Sequence, residues 1–373
     1  MLTNFGLLTN EQKTIWSMDL WKNARNKSFI NQFLGSGTES MIQHITELKT
    51  SEKGARAVIT LLADLQGDGV AGDRTLMGNE EAMQTFEQVI RIDQLRHANR
   101  HEGKMADQKS IVSFRDNSRN VLAYWLADRI DQMAFLTLAG IGYGFKPNGA
   151  TRVGSDLQYL EFAADVTAPS LRRMTRWDAT ASTLRTNQTG ANTSAAIVAG
   201  DFPTWKMFVQ LKAYAKDRYI RGVGGDGGDE TFHAFLTPQA FAKLKQDLDY
   251  NANLRYSQNA GTNGKLFTGG SVLVDGIHLH EFRHVPNTSG VASGSKYGSG
   301  GTIDGCQVLF CGAQALGMAD LGAPDWNEED FDFKNSQAIA IGKILGFLKP
   351  KFGNIYEGNA VEDFGVISCY TAT

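Results

Sequence analysis

The segment KMADQKSIVSFRDNSRNVLAYWLADRIDQMAFLTLA, residues 104–139, contains neither glycine nor proline. Its apolar side chains recur at the three- and four-residue intervals of one face of an α-helix. They are Ile111, Phe114, Val121, Leu122, Trp125, Leu126, Ile130, Met133 and Leu136. A helix of this length would run about 50 Å at 1.5 Å per residue. Such a helix is long for a compact domain, so the segment predicts a spine on which other elements pack.

Upstream of this helix, two extended segments surround a polar, glycine-rich stretch. Residues 55–65 and 86–95 carry the aliphatic and β-branched side chains that are typical of strands, and residues 66–81 between them contain four glycines. This arrangement predicts a long β-hairpin whose tip is too polar for a core. A long hairpin is marginal in water by itself, so we expect this one to rest on a partner surface.

The remaining chain alternates helices, strands and loops without an internal repeat. Residues 9–34 are predicted to form a helix with more apolar surface than a free tail should carry. Further helices are predicted at 204–218, 239–249 and 313–319, and extended segments at 231–236, 272–285 and 307–310. Residues 140–201 are expected to be irregular, and residues 336–348 and 361–369 close the fold.

The composition is that of a globular protein. The chain has 373 residues, of which 42% are apolar, so two or three packed units are expected. Its 37 basic residues nearly balance 40 acidic ones, which argues against a dedicated nucleic-acid binder. No apolar run approaches the ~20 residues that span a bilayer, and no secretory signal is visible at the N-terminus. Three cysteines do not support a disulfide framework.

Three short motifs imitate chemical sites but are incomplete. The string GVGGDG at 222–227 follows a predicted helix and precedes a strand, the reverse of a dinucleotide site, so we interpret it as a connector. Residues 64–69 resemble the start of a calcium loop, but the twelfth position is Thr75 instead of glutamate. Cys306 and Cys311 are too far apart for a redox pair and are predicted to be buried structural thiols.

Two groups of histidines have spacings that metal ligands could have. In IHLHEFRH, residues 277–284, His278 and His280 would share one face of a strand. Because no second ligand cluster is evident, we interpret them as surface or interface histidines and not as a zinc site. His97 and His101 lack the glutamate of the zincin motif. No local motif of a major catalytic class is present, although catalytic residues need not be close in sequence, so a soluble hydrolase stays an alternative.

Five strings resemble the major capsid proteins of tailed bacteriophages, in the branch typified by coliphage N-four. They are GDRTLMGNEE (72–81), IDQLRH (92–97), GKMADQ (103–108), ADRID (127–131) and EDFGVISC (362–369). The resemblance extends over nearly the whole chain. It implies the α+β fold named after phage Hong Kong 97, with an N-terminal arm, an extended β-hairpin loop, a peripheral domain that contains the spine helix, and an axial domain.

The resemblance also implies a division of the chain. Residues 1–53 would be the arm, and residues 54–104 the extended loop that lies over a neighbouring subunit. Residues 105–229 would form the peripheral domain with the spine helix, to which residues 335–373 return. The axial domain, residues 230–334, would pack around five-fold and six-fold axes.

The function implied by the resemblance is structural, with no enzyme activity, cofactor or metal. Copies of the chain would self-assemble into pentamers and hexamers, forming an icosahedral shell around phage double-stranded DNA. Assembly would take place in the host cytoplasm and place the protein in the virion capsid. A separate scaffold protein and a portal are expected partners, a cement protein is an optional one, and no membrane is involved. A nanocompartment shell of the same fold is the alternative.

Two groups of residues are candidate contact sites. The residues on the extended loop that are predicted to contact a neighbouring subunit are Asp73, Arg74, Glu80 and Glu81. The residues of a candidate DNA-facing basic patch are Arg172, Arg173 and Arg176. For this second group, a charge run at a solvated or interface surface is an equally good interpretation.

The sequence differs from the type member of this fold in two features, and the corresponding properties of the type member are not expected here. The type member crosslinks a lysine of its extended loop to a neighbour, whereas residues 54–103 contain no lysine, so we expect no covalent chainmail. The type member also begins with a long scaffolding segment that is cleaved off. Here the loop begins near residue 54, so we expect an uncut N-terminus and a separate scaffold.

Overall fold

A computed structural model describes residues 18–20, 22–24, 27–45, 56–62, 65, 67–83, 85–109, 114–186, 193–224, 230–257, 272–354 and 360–373. Besides the helical residues 18–20, 22–24 and 27 near the N-terminus, the helices in these ranges are α1 (Lys104–Lys109), α2 (Phe114–Ala139), α3 (Trp205–Asp217), α4 (Pro238–Gln246) and α5 (Leu248–Ser257). Short 3₁₀ turns lie at Ile30–Phe33, Leu157–Tyr159, Glu161–Asp165, Leu171–Arg173 and Ser194–Ala196.

Strands are the commonest regular elements of the described residues. The strands are β1 (Leu34–Gly35), β2 (Ile42–Ile45), β3 (Arg56–Leu62), β4 (Thr85–Arg91), β5 (Asp93–Arg100), β6 (Met174–Asp178), β7 (Thr183–Thr186), β8 (Phe232–Leu236), β9 (Val272–Val274), β10 (Ile277–Glu281), β11 (Gly305–Cys311), β12 (Leu316–Asp320), β13 (Asp325–Phe331), β14 (Ser336–Leu348), β15 (Lys351–Asn354), β16 (Ala360–Asp363) and β17 (Val366–Ala372).

Two large sheets flank the long helix α2. One has the order β1-β2-β12-β14-β13, with β5 paired along the other edge of β14. The second has the order β7-β6-β17-β11-β8-β10-β9. Helix α2 contacts β14, β5 and β12 of the first sheet and β11 of the second, and one apolar cluster joins all three layers. The predicted spine is therefore confirmed as the centre of the core.

The spine helix is shorter than its sequence predicts. Helix α2 has 26 residues and runs about 39 Å. The preceding residues form the separate helix α1, and residues 110–113 lie outside the described part of the chain. The helix ends in a Schellman motif, in which Ile141 N donates to Leu136 O at 2.9 Å and Gly140 adopts φ 71°. Glycine is required there because a Cβ atom would lie 2.3 Å from the carbonyl oxygen of Thr167.

The predicted hairpin is confirmed, since β3 and β4 pair antiparallel from Arg56 opposite Arg91 to Leu62 opposite Thr85. The predicted helix at 204–218 and the predicted strand at 231–236 are also confirmed, as α3 and β8. The predicted N-terminal helix appears at residues 18–20 and 22–24, but the chain turns into strand β1 at Leu34.

Some predicted elements are wrong. Residues 313–319 are not helical, because Leu316–Asp320 forms the buried strand β12 between β2 and β14. Residues 140–201 are not wholly irregular, since they contain β6 and β7. The expected helix 239–249 is split between α4 and α5, and the extended run 272–285 contains a hairpin turn at Asp275 and Gly276, both with positive φ.

The large sheets cross the predicted domain boundaries. The seven-stranded sheet combines β6 and β7 from the predicted peripheral segment, β8 to β11 from the predicted axial segment, and β17 from the returning segment. The division into peripheral and axial domains therefore stays a prediction. Within the described residues, no helix is long and apolar enough to cross a membrane.

Candidate assembly surfaces

The root of the β3–β4 hairpin is seated on the six-stranded sheet. Ile59 and Ile90 point inward and are buried in a second apolar cluster, which also contains Ala319 and Leu348. On the opposite face, the paired Val58 and Val89 each remain 43% exposed. The hairpin therefore has one face on its own subunit, and the opposite face exposes the Val58–Val89 pair among polar and charged residues.

Two glycines set how closely the hairpin approaches the sheet. A Cβ atom at Gly317 of β12 would lie 2.6 Å from Ile59 Cδ1, and one at Gly346 of β14 would lie 2.2 Å from the carbonyl oxygen of Arg91. A reciprocal pair of hydrogen bonds fixes the same root, since Gln88 Nε2 donates to Lys351 O at 2.5 Å and Lys351 N donates to Gln88 Oε1 at 3.0 Å. This seat leaves no local signal in the sequence, because the residues that form it are far apart along the chain.

Replacing Gly346 with alanine is expected to lower the free energy of unfolding by about 1–3 kcal/mol, because the new methyl group would collide with backbone. The change is also expected to raise the protease sensitivity of the hairpin. Gly142→Ala is the matched control, because a Cβ at Gly142 meets nothing within 4 Å. Denaturant unfolding measures both variants. Equal free energies of unfolding for Gly346→Ala and Gly142→Ala would contradict the close packing of the hairpin on the sheet.

The hairpin tip, residues 67–83, stands in solvent. All of its side chains are exposed except that of Val70, which is partly covered. Its exposed apolar residues include Leu76, Met77 and Met83, of which Met77 is 83% exposed. Large apolar side chains exposed along one projecting segment are typical of a protein interface.

The four residues predicted to contact a neighbour all lie on this tip. Within the chain, Glu80 Oε2 accepts a hydrogen bond from Gly78 N at 2.7 Å, and Glu81 Oε2 accepts one from Gly67 N at 2.5 Å. These bonds shape the tip and leave the carboxylates at its surface. Asp73 and Arg74 are exposed on the same segment. The structure thus places all four residues on the exposed tip, and their contact with another subunit stays a prediction.

The described part of the N-terminal arm lies on its own subunit. Leu20, Ala24 and Ile30 are buried in the main apolar cluster. Asp19 pairs with Arg119 of α2 at 2.7 Å, and the Lys27 ammonium lies 3.3 Å from the centre of the Tyr124 ring. Most of the apolar surface in these arm residues is therefore covered within the same chain, although Met18 is 61% exposed.

Asp131 of α2 anchors the arm where it turns into the first 3₁₀ turn. Its Oδ1 accepts hydrogen bonds from Ser28 Oγ at 2.6 Å and Ile30 N at 3.1 Å, and its Oδ2 accepts one from Phe29 N at 3.0 Å. Burial raises the pKa of this carboxyl, and the three hydrogen bonds oppose that shift. The sequence offers one signal for this role, a carboxylate within the most apolar part of the helix.

Beyond this anchor, arm aromatics cover a row of histidines. Phe33 meets the rings of His233 and His280 edge-on at centroid distances of 5.1 and 5.0 Å. His233 Nδ1 and His280 Nε2 are 3.0 Å apart, and His278 stacks on His233 at 5.2 Å. His280 was predicted to lie at a surface or interface, but it is only 9% exposed because β10 is an inner strand covered by Phe33.

His233 and His280 are held neutral. Burial, reinforced by the neighbouring imidazoles, lowers the pKa of His280 to about 3 and that of His233 to about 4. Within the described residues, no group of three or more metal-ligating side chains is placed to hold a metal ion. The arrangement packs the arm onto the sheet.

The other residues singled out for chemistry have structural partners. His284 and Asp128 form a pair 2.7 Å apart, and this hydrogen bond is the main reason that the pKa of Asp128 is lowered. His97 stacks on Trp125, and His101 Nε2 accepts a hydrogen bond from Gln337 N. All three cysteines are fully buried, as predicted for Cys306 and Cys311, and burial raises the pKa of Cys306 to about 11.

The three arginines of the candidate basic patch do not form one open surface. Arg173 is 0% exposed and lies 3.5 Å from Glu362, so it has no surface to offer to DNA in the folded chain. Arg176 is mostly covered and pairs with Asp178 and Asp201. Arg172 is partly exposed and lies 3.5 Å from Glu362. Of the two interpretations, the paired charge run fits this geometry better, and a contact of Arg172 or Arg176 with DNA stays a prediction.

Known phage capsid proteins match nearly the whole chain. The profile of the family described as "Phage capsid protein" matches residues 4–373. The chain is 58% identical to the "Major capsid protein" of Pseudomonas phage KPP25 over 370 residues, which cover 99% of this chain and 97% of that protein.

Solved structures show the same fold. The capsid of Ralstonia phage GP4 superposes with a TM-score of 0.74 at 22% identity, over 93% of this chain and 91% of that one. The capsid of cyanophage Pam1 superposes with a TM-score of 0.69 at 17% identity, over 100% of this chain and 99% of that one. These likenesses confirm the predicted Hong Kong 97-like α+β fold.

Proposed function

The chain belongs to the phage capsid protein family and is a major capsid protein of a phage, and we propose that its copies close into the head shell through the hairpin tip. The main evidence for this function is the 58% identity to a major capsid protein over 99% of the chain. The exposed apolar side chains of the hairpin tip, Leu76, Met77 and Met83, support the route of assembly, because a symmetric shell can cover them with the next copy.

The wider set of partners is part of this proposal. We infer pentamers and hexamers of identical subunits around packaged double-stranded DNA, with a portal and a separate scaffold protein, assembled in the host cytoplasm. The near-balanced charge supports a wall that tolerates DNA without binding it tightly. The absence of enzyme activity is proposed on the structural role of the family.

Electron microscopy with light scattering tests the proposed assembly. The chain is produced together with the other head proteins of its phage, and closed shells tens of nanometres across are expected. Chains that stay monomeric, although every head protein is present, would contradict the proposal. Intact-mass measurement and denaturing gels of the particles then test the uncut N-terminus and the absence of crosslinks.

Replacing Glu80 and Glu81 together with lysine is expected to lower the yield of shells at least about tenfold, because reversed charges at an interface cost several kcal/mol. The subunit should stay soluble and its melting temperature nearly unchanged, since both side chains are exposed. Asp325→Lys with Glu329→Lys is the control, because both residues are exposed on β13 and the change in charge is the same. Shells are counted after sedimentation. A wild-type yield would contradict the contact.

A further inference from the structure

A basic cavity of about 660 Å³ opens beside the root of the hairpin. Its walls are β5, the outer face of α2 and the loop around residues 146–157. Four cationic side chains line it, and Asp156 is the one carboxylate among the lining residues. The cations are Arg96, Arg129, Lys146 and Arg152.

The positive charge in this cavity is only partly compensated, because Asp128 lies 3.6 Å from Arg129 while Arg96 and Lys146 have no such pair among the described residues. Arg129 and Arg152 both donate to Gln132 Oε1, at 2.7 and 2.6 Å. Burial lowers the pKa of Arg152, the charge of Arg129 lowers it further, and the charge of Asp128 opposes both effects. Arg96 and Lys146 are exposed, and neither has an ion-pair partner among the described residues. A concave site with cations of this kind concentrates positive potential and attracts an anionic group.

The hairpin tip has the complementary composition. Residues 67–83 contain four carboxylates and one arginine. The apolar parts also match, because Val153 at the rim of the cavity is 94% exposed and Met77 on the tip is 83% exposed. The single Arg74 of the tip has a counterpart in Asp156. Both the charge of the cavity and the exposed apolar residue at its rim therefore match the hairpin tip.

The tip of the same chain cannot fill this cavity. The cavity begins at Gln94, just after the end of β4 at Arg91, so it lies at the root of the hairpin. Strand β4 has seven residues, which hold the tip roughly 20 Å from that root. A tip that reaches such a cavity must come from a second copy. Because donor and acceptor are different surfaces of each subunit, the contact repeats head to tail and can close into a ring.

We propose that the basic cavity lined by Arg96, Lys146 and Arg152 receives the acidic hairpin tip of a neighbouring copy of this chain, a contact that rests on the proposed shell function. Glu80 and Glu81 would face the cations, and Met77 would pack against Val153. The cavity is thus the acceptor half of the subunit contact.

Charge reversal with rescue tests this pairing. Arg96→Glu with Lys146→Glu is expected to lower shell yield at least about tenfold, and adding Glu80→Lys with Glu81→Lys should restore it to within about threefold of wild type. Lys206→Glu with Lys216→Glu, two exposed lysines of α3, is the matched control, and the same tip reversal should not restore yield on that background. If wild-type shells form but the reversed tip does not restore the yield of the cavity variant, the pairing of cavity and tip is overturned and the proposed shell function is not. Failure of the wild type to form shells contradicts the proposed function instead.

A disulfide trap tests the same geometry directly. Met77→Cys and Val153→Cys, combined in one chain, should give a ladder of covalent multimers from oxidised shells on non-reducing gels. Each single variant should stay monomeric there, because the three native cysteines are buried. Monomers from the double variant would overturn the contact.

Packaged DNA is the other anion that the cavity could attract. If the Arg96→Glu, Lys146→Glu variant forms shells at wild-type yield but holds less DNA, the cavity binds phosphate and the proposal is overturned. Loss of shells that the reversed tip restores supports it.

Discussion

Replacing Asp131 with alanine is expected to detach the arm from the spine helix and to lower the free energy of unfolding by about 3–5 kcal/mol. The carboxylate accepts three hydrogen bonds from residues 28–30, two of them from backbone N–H groups. Alanine would leave those donors without acceptors in a buried site, where each unsatisfied group costs about 1–3 kcal/mol. Phe29 and Phe33, which follow the anchor, should then lose their position over the histidine row.

Denaturant unfolding and limited proteolysis of the arm measure this effect. Asp131→Asn is expected to be intermediate, because its oxygen can serve Ser28 and Ile30 while its amide group opposes the N–H of Phe29. Asp19→Ala is the control on the same contact, since Asp19 is half exposed and its pair with Arg119 should be worth about 1 kcal/mol or less. An alanine variant whose arm stays as protected as in wild type would show that Asp131 is not the anchor.

The elements that the sequence predicts well are those whose signal is local. Helix α2 has no helix breaker and a regular apolar period, and the hairpin is bounded by glycine-rich turns, so neighbouring residues suffice to predict both. Strand β12 was misread because a short apolar run near Leu316 fits either a helix or a buried strand. Pairing with β2 and β14 decides between the two, and that pairing depends on residues far along the chain.

The same limit applies to the candidate sites. The acidic hairpin tip could be predicted because its polar residues are consecutive and cannot enter a core. The burial of Arg173 could not, because Glu362, which pairs with it, comes from β16 near the other end of the chain. The basic cavity was missed for a related reason, since Arg96, Arg129 and Lys146 stand on three different elements and converge only in the fold.

Replacing Asp363 with alanine is expected to lower the free energy of unfolding by about 3–5 kcal/mol, because it leaves a buried ammonium without its partner. Asp363 Oδ2 accepts hydrogen bonds from Lys349 Nζ at 3.1 Å and Ser170 N at 3.0 Å, and both charged side chains are 1% exposed. Lys349→Met with Asp363→Asn removes both charges and keeps an acceptor for Ser170. This double variant should therefore cost less than Asp363→Ala, and a larger loss would contradict the account.

The pH dependence of the alanine variant separates a buried charge from lost packing. Burial already lowers the pKa of Lys349, and Asp363 opposes that shift, so removing Asp363 lowers the pKa further. An unfolded lysine then binds a proton more tightly than the folded one, and stability rises with pH up to the ordinary lysine value of 10.5. The deficit of Asp363→Ala should therefore shrink between neutral pH and that value, whereas a packing defect would stay constant. Because Lys351, which follows Lys349 in the chain, hydrogen-bonds Gln88 at the hairpin root, the same variant should also loosen the hairpin and lower shell yield.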